Sequence, residues 1–319
     1  IKSILYLLEA KIINSYYNDN RYMLNRRNSN NTSIENINEI FEWNIQQFKL
    51  KTSSLLDSAL KVETLIKTPV TTYPKLIIIN DISIDTYPSL YDFVAYQAID
   101  IYKSIGAKYY WNPFVRYQPT FDEELCNKVV DIYNSIISSH RTEAPRIMAM
   151  LNRMEFTEDD SIEQLDSLYQ LHKHSAEAAP IVIKIAKKET NKTTAYNLLN
   201  SFKKEFPNNR YSNIIKEGLL FYELPKAQLT FKDYYSSEDS ITITCEAENL
   251  TNFTVNLYRI NENNPNKYDF SDEQPYYSQT FELSKKLPFC DTLNITLPPF
   301  PYGQYTAIVN AIDNNDKHF

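Results

Sequence analysis

Apolar residues recur three and four positions apart through the first two thirds of the chain, the spacing that buries one face of a helix. Over 1–27 this predicts a helix with Ile4, Leu7, Leu8, Lys11 and Ile12 on one face and Tyr16, Tyr17 and Tyr22 further on. Over 34–61 the stripe of Ile34, Ile37, Phe41, Ile45, Phe48, Leu55 and Ala59 predicts a second helix, capped by Ser33. After Pro225 the period becomes two, as in Ile241, Ile243, Cys245 and Ala247, then Phe253, Val255 and Leu257. A period of 3.6 and a period of 2 bury different kinds of face, so the switch predicts two domains: helical over 1–222, strands over 226–319.

Between the first helices and the switch, 64–86 reads as irregular, with Pro69 and Pro74 and a short apolar run from Leu76 to Ile79 expected to pack as a loop. Pro88 stands near the first turn of a helix over 87–104, with Leu90, Phe93, Val94 and Ile101 as its buried stripe and Gly106 as its stop. Thr120 with Glu123, and Ser161 with Gln164, have capping-box spacing before the apolar runs beginning at Leu125 and Leu165. Pro145 begins a shorter helix holding Met148 and Leu151, and further helices are expected over 175–188, 193–205 and 210–220. The stretch from Ala195 to Arg210 resembles one unit of a tetratricopeptide repeat, but no 34-residue period accompanies it. Strands are expected over 228–231, 240–247, 253–260, 277–283, 292–297 and 305–312. The fold class expected is an irregular α-helical array, tetratricopeptide-like at its end, followed by an antiparallel immunoglobulin-like β-sandwich.

Composition narrows the chemistry. A length of 319 residues suffices for two cores, and 43% hydrophobic with 23% charged residues is globular usage. There are three glycines, against about 22 at average usage. That shortage argues against phosphate-cradling loops, and Asn-rich stretches such as 28–31 and 261–266 are expected to carry turns instead. A net charge of −7 with no dense basic run disfavours nucleic acid or an anionic membrane as partner. No apolar run approaches the length of a membrane-spanning helix. The chain begins Ile1-Lys2-Ser3 without Met and ends soon after a strand-like run, so it is expected to be a piece of a longer protein.

No catalytic, cofactor-binding or metal-binding constellation stands out, and no cofactor is expected. Cys126 reads as a small buried hydrophobe, whereas Cys245 and Cys290 could be bridged or could be two buried thiols. His172 and His174 are two apart on a helix, about 200° around its axis, and are expected to be surface residues rather than shared ligands. Glu158, Asp159 and Asp160, like Asp122, Glu123 and Glu124, adjoin helix starts and fit the helix dipole better than a calcium loop. The 25 tyrosines admit a carbohydrate- or peptide-binding reading, with interhelical packing of Tyr87, Tyr91, Tyr96 and Tyr102 as the alternative. Glycosylation sequons at Asn31, Asn191, Asn249, Asn252 and Asn294 would matter only in a eukaryotic secretory protein.

Three stretches resemble the amino-terminal region of the large alpha-2-macroglobulin-like proteins of Bacteroidetes-type bacteria. Residues 88–100, Pro88-Ser89-Leu90-Tyr91-Asp92-Phe93-Val94-Ala95 onward, resemble that group's Pro-Thr-Leu-Tyr-Asp-Phe-Leu-Ala helix. Leu8-Glu9-Ala10 through Tyr22, with Arg26-Arg27, resembles its opening helix, and 244–260 resembles its first macroglobulin-type strands. The resemblance implies a helical leader over 1–222 and one macroglobulin-like sandwich over 226–319. Neither Cys245-Glu246-Ala247 nor Cys290-Asp291-Thr292 matches the family's Cys-Gly-Glu-Gln thioester, so the chain itself would not carry that chemistry.

The function expected on this basis is that of a non-catalytic scaffold or interaction segment of a bacterial protease-inhibitor protein. It would lie in the periplasm or at the cell surface, with a lipid anchor possible in the full-length protein. Its partners would be downstream domains of the same chain, and proteases or envelope proteins. The alternative is a free-standing envelope module that binds peptide or glycan.

Overall fold

The computed structural model describes residues 1–24, 37–61, 63–78, 81–108, 120–260, 270, 274–283 and 290–313. Ser33, Ile79, the sequon at Asn31 and the loops 28–31 and 261–266 lie outside them. Two compact units divide at Ile181/Val182.

The first unit is helical. Helix α1 (Lys2–Leu24) buries Ile4, Leu7, Ala10, Ile13 and Tyr17, a face that leaves Leu8 and Ile12 exposed, unlike the expected one. The expected helix over 34–61 is broken. A 3-10 turn over Ile37–Glu42 is followed by α2 (Ile45–Leu60), which starts where Asn44 and Gln47 form a capping box. Reciprocal bonds of 3.0 and 2.9 Å satisfy the Gln47 and Asn44 backbone N–H groups there, and this local gain ends the apolar stripe's continuity. Residues 64–86 contain more helix than expected: α3 (Thr64–Lys67), a 3-10 turn over Val70–Thr72 and α4 (Asp81–Thr86).

Helix α5 (Leu90–Gly106) is the centre of this unit, packing against α1, α2 and α6 (Glu123–Ser139). Leu90, Val94, Ala98, Ile101 and Ile105 are buried, whereas Phe93 is only half-buried at the edge of the core. Its N-cap is Ser89, with Pro88 one residue before it. Thr120 does not cap α6. It sits in β2 (Thr120–Phe121), which pairs with β1 (Ala107–Lys108), and Asp122 takes the N-cap position. Helix α7 (Glu143–Phe156) packs on α6, and α8 (Ile162–His172) starts at the expected Ser161–Gln164 capping box.

Helix α9 (Ala179–Lys188), preceded by a 3-10 turn over Ala176–Ala178, spans the division between the units. In the second unit, α10 (Lys192–Glu205) packs on α11 (Ser212–Glu223). The change of period near Pro225 marks where helix gives way to strand. The compact-unit division falls at Ile181/Val182, so these last helices share a unit with the strands, and polar contacts link the two. Lys192 Nζ lies 2.7 Å from Glu248, and the Asn249 amide donates to the Tyr222 and Leu224 carbonyls at 2.7 and 3.0 Å.

The strands are β3 (Lys226–Thr230), β4 (Ile241–Glu248), β5 (Leu250–Arg259), β6 (Tyr277–Glu282), β7 (Cys290–Leu297) and β8 (Tyr305–Asp313). They form two three-stranded antiparallel sheets, in orders β3-β4-β7 and β6-β5-β8. Between β4 and β5 the chain passes from one sheet to the other through a single residue, Asn249, whose φ of 54° is a left-handed conformation that Asn tolerates better than most residues. Ile243, Cys245, Ala247, Ile295 and Leu297 of one sheet share a buried cluster with Phe253, Val255, Leu257 and Ala311 of the other. The alternation read from the sequence therefore corresponds to buried faces. Cys245 is a buried free thiol. Its register partner is Leu293, three residues along β7 from Cys290, or about 10 Å of strand. Among the described residues no helix is long and apolar enough to cross a membrane.

Candidate ligand-binding cleft

A cleft of about 530 Å³ opens at one end of the two sheets, within the second unit. Its floor is core: Ile243 of β4, Leu257 of β5 and the ring of Phe300 are all buried. One wall is the β3–β4 connection, carrying Lys232, Asp233, Tyr234, Tyr235, Ser236 and Ser237. The opposite wall is the β7–β8 corner, carrying Pro301, Tyr302, Gly303 and Gln304.

Both walls are held by hydrogen bonds. The Tyr235 hydroxyl accepts from the Lys232 N–H at 3.0 Å and donates to the Thr242 carbonyl at 2.7 Å, clamping the first connection to β4. On the other side Arg259 donates to the Tyr302 carbonyl at 2.9 Å, Tyr305 donates to the Pro301 carbonyl at 2.8 Å, and the Ile260 N–H donates to the Gln304 carbonyl at 2.8 Å. Phe300 is packed edge-on by Tyr276 and Tyr277 and tilted against Tyr305, with ring centroids 5.6 to 5.7 Å apart. Gly303 lies so close to Arg259 that a Cβ there would fall 2.9 Å from Nε. The backbone under Tyr302 is thus fixed from several directions, while its side chain is 89% exposed and that of Tyr234 is 87% exposed. Firmly anchored backbones presenting two exposed aromatic rings beside an apolar floor make a surface suited to holding a ligand with a flat or apolar face.

The first unit holds a different group, which the sequence reading did not identify. Asp92 is fully buried on α5. One of its carboxylate oxygens lies 2.7 Å from His140 Nε2, and the other accepts from the Ser89 N–H at 2.9 Å and the Ser89 hydroxyl at 2.7 Å. Ser, Asp and His are together, but Asp stands between the other two, and the serine hydroxyl is bonded to the carboxylate rather than to an imidazole that could take its proton. The arrangement is a fastener between the start of α5 and the end of α6. The residue types were visible, but no local spacing joins Asp92 to His140, 48 positions apart.

The remaining sequence candidates are dispersed. His172 is not a free surface residue: Nδ1 lies 3.0 Å from Glu143, and its side chain is largely covered. The Ser175 hydroxyl, and after it His172, hold the Glu143 carboxyl below its ordinary pKa. Asp122 pairs with Lys49 at 2.9 Å, Glu123 and Glu124 lie in the first turn of α6, and Glu158 to Asp160 precede the capped start of α8. Among the described residues no cluster of three or more His, Cys, Asp or Glu is placed to hold a metal ion. Tyr91 and Tyr102 fill interhelical space, and the Tyr102 hydroxyl donates to Asp57 at 2.9 Å instead of reaching water. The cleft aromatics carried a weak sequence signal, Tyr234-Tyr235 and Tyr302 inside turn-rich stretches where alternation gives them no core to enter.

No model of a known protein family matches the sequence, and neither the curated proteins nor the solved structures contain a match to this chain.

Proposed function

We propose that the chain is a non-enzymatic interaction module whose ligand-facing surface is the aromatic cleft at the end of the two sheets. The observation that carries this reading is the exposure of Tyr234 and Tyr302 on walls anchored by hydrogen bonds around an apolar floor. Large aromatic side chains left in water at two converging turns lose the burial that would otherwise stabilise them, and a ligand restores it. The finer architecture we assign is an immunoglobulin-like sandwich formed by the two sheets, with α10 and α11 as a tetratricopeptide-like pair before it. A common buried cluster and the single-residue crossing at Asn249 support the sandwich.

The reading is tested by amide chemical-shift mapping of the full chain against mixed libraries of oligosaccharides and peptides. Shifts concentrated over 231–237 and 300–305 are expected; a cleft that no library perturbs would overturn it. A second reading, a scaffold segment of an envelope macroglobulin-like protease inhibitor, is favoured by the succession of helices and two packed sheets together with the Pro88 to Asp100 stretch. On that reading a panel of proteases should form no adduct that survives denaturation, and their activity on small substrates should stay unchanged.

A further inference from the structure

We infer that the cleft takes an uncharged saccharide, stacked on Tyr302 or Tyr234 with its hydroxyls turned to the polar rim. This rests on the proposal that the cleft is the ligand-facing surface. Its volume of about 530 Å³ falls within the roughly 300–1,000 Å³ typical of small-ligand sites and is far from the flat extent of a protein interface.

The chemistry of the lining selects the class. An aromatic face carries negative charge density and favours the weakly positive C–H groups of an apolar ring face. A ligand that also met the rim would need donors and acceptors at its edge, because Asp233, Ser236, Ser237 and Gln304 line the same space. A sugar ring has both, with C–H groups on its faces and hydroxyls around its circumference. Charge argues the same way: among the described residues the lining contributes Lys232 and Asp233, one of each sign, with the Arg259 guanidinium behind the wall already donating to the Tyr302 carbonyl, and no cluster of cations to hold a phosphate, sulfate or uronate. Strand addition by an extended peptide is disfavoured at the floor, since Leu257 is paired with Tyr277 on one side and Ala307 on the other, Ile243 is paired with Ile295, and the Thr242 carbonyl already accepts from the Tyr235 hydroxyl.

The test uses the full chain on an array of neutral glycans, followed by calorimetry with maltotriose, cellotriose, xylotriose and chitotriose, each against wild type, Tyr302→Ala and Tyr234→Ala. Both residues are exposed, so the variants should fold, as circular dichroism would verify. At least one neutral glycan is expected to bind, and Tyr302→Ala or Tyr234→Ala should weaken it tenfold or more. Sulfated or uronate-bearing counterparts should bind no better than the neutral form. Absence of binding across the neutral array, or binding that neither substitution diminishes, overturns the inference. Binding of a polyproline peptide that is lost in Tyr302→Ala, with no neutral glycan bound, overturns the saccharide assignment and leaves the cleft standing as an interaction surface. Failure of both ligand classes overturns the inference and the proposed function together.

Discussion

Asp92 Oδ1 lies 2.7 Å from His140 Nε2, so the first turn of α5 is bonded to the residue that ends α6. The other carboxylate oxygen completes the capping box with Ser89, and the backbone on either side of Ser89 bonds to the segment around Pro69: Leu90 N–H to the Thr68 carbonyl at 2.7 Å, Val70 N–H to the Pro88 carbonyl at 3.0 Å. The buried carboxylate therefore joins the start of α5 to the end of α6, and backbone bonds beside Ser89 add the segment around Pro69. Asp92→Ala should cost about 2–4 kcal/mol, from a lost cap and from buried donors on Ser89 and His140 left without an acceptor. Asp92→Asn, which keeps an acceptor, should cost about half as much. Urea unfolding monitored by circular dichroism measures both, and equal, negligible losses would show that the contact does not hold the helices.

Legibility followed the range of the interactions. The six strands were readable because Ile243, Cys245 and Ala247 alternate into a core built on the same period, and the Ser161–Gln164 box because cap and helix are neighbours. Local signals failed where a second local bond competed. Asn44 interrupts a stripe that is apolar on both sides, and Thr120 has capping-box spacing to Glu123 but is taken into a two-residue ladder with Lys108. The fastener and the cleft were not legible, because Asp92 with His140, and Tyr234 with Tyr302, are brought together only by tertiary folding.

Gly303 and Arg259 should be energetically coupled. A Cβ at 303 would sit 2.9 Å from Arg259 Nε, forcing the guanidinium away from the Tyr302 carbonyl. Gly303→Ala should destabilise the chain by about 1–2 kcal/mol, the arginine being flexible enough to relieve part of the clash. In an Arg259→Ala background the same substitution should cost almost nothing, and a double-mutant cycle by chemical denaturation reads the difference. Additive losses would place the strain elsewhere in the corner.

Glu143 supplies a pH dependence whose sign follows from its partners. Its folded pKa is depressed, by the Ser175 hydroxyl first and His172 second, so its stabilising contribution is present above the ordinary glutamate range and disappears as pH falls through the lower folded value. Carboxyl-detected titration should show Glu143 ionising below an ordinary glutamate. Ser175→Ala should raise that value more than a substitution at His172, and should shrink the stability lost on acidification. A Glu143 titration unchanged by Ser175→Ala would contradict the assignment.

Cys245 should be chemically silent in the native state. Burial raises its thiol pKa, with the Glu246 carboxylate adding to the effect, so little thiolate is present and no reagent reaches it. Alkylation of Cys245 should proceed only as fast as the second unit unfolds. Oxidised protein should yield no Cys245–Cys290 peptide, since about 10 Å of strand between the register positions exceeds disulfide reach. Recovery of that bridged peptide from native protein by mass spectrometry would mean the β4–β7 register differs.

The last helices and the sheets should unfold as one cooperative body. Asn249 is buried with φ of 54°, and its amide donates to the carbonyls of Tyr222 and Leu224 at the end of α11. No other residue type combines tolerance of that backbone with an amide short enough to reach both carbonyls; Ala would strain the turn and leave the carbonyls unmet. Asn249→Ala should therefore cost about 2–4 kcal/mol, while Asn249→Gly, which removes the side-chain bonds but relieves the backbone, should cost less. A fragment of residues 182–319 should then be markedly more stable than one of 226–319, which lacks α10, α11 and the carbonyls that Asn249 holds. Calorimetry of the two fragments decides it: equal melting temperatures would mean that the strands fold without the helices and that the boundary lies at Pro225.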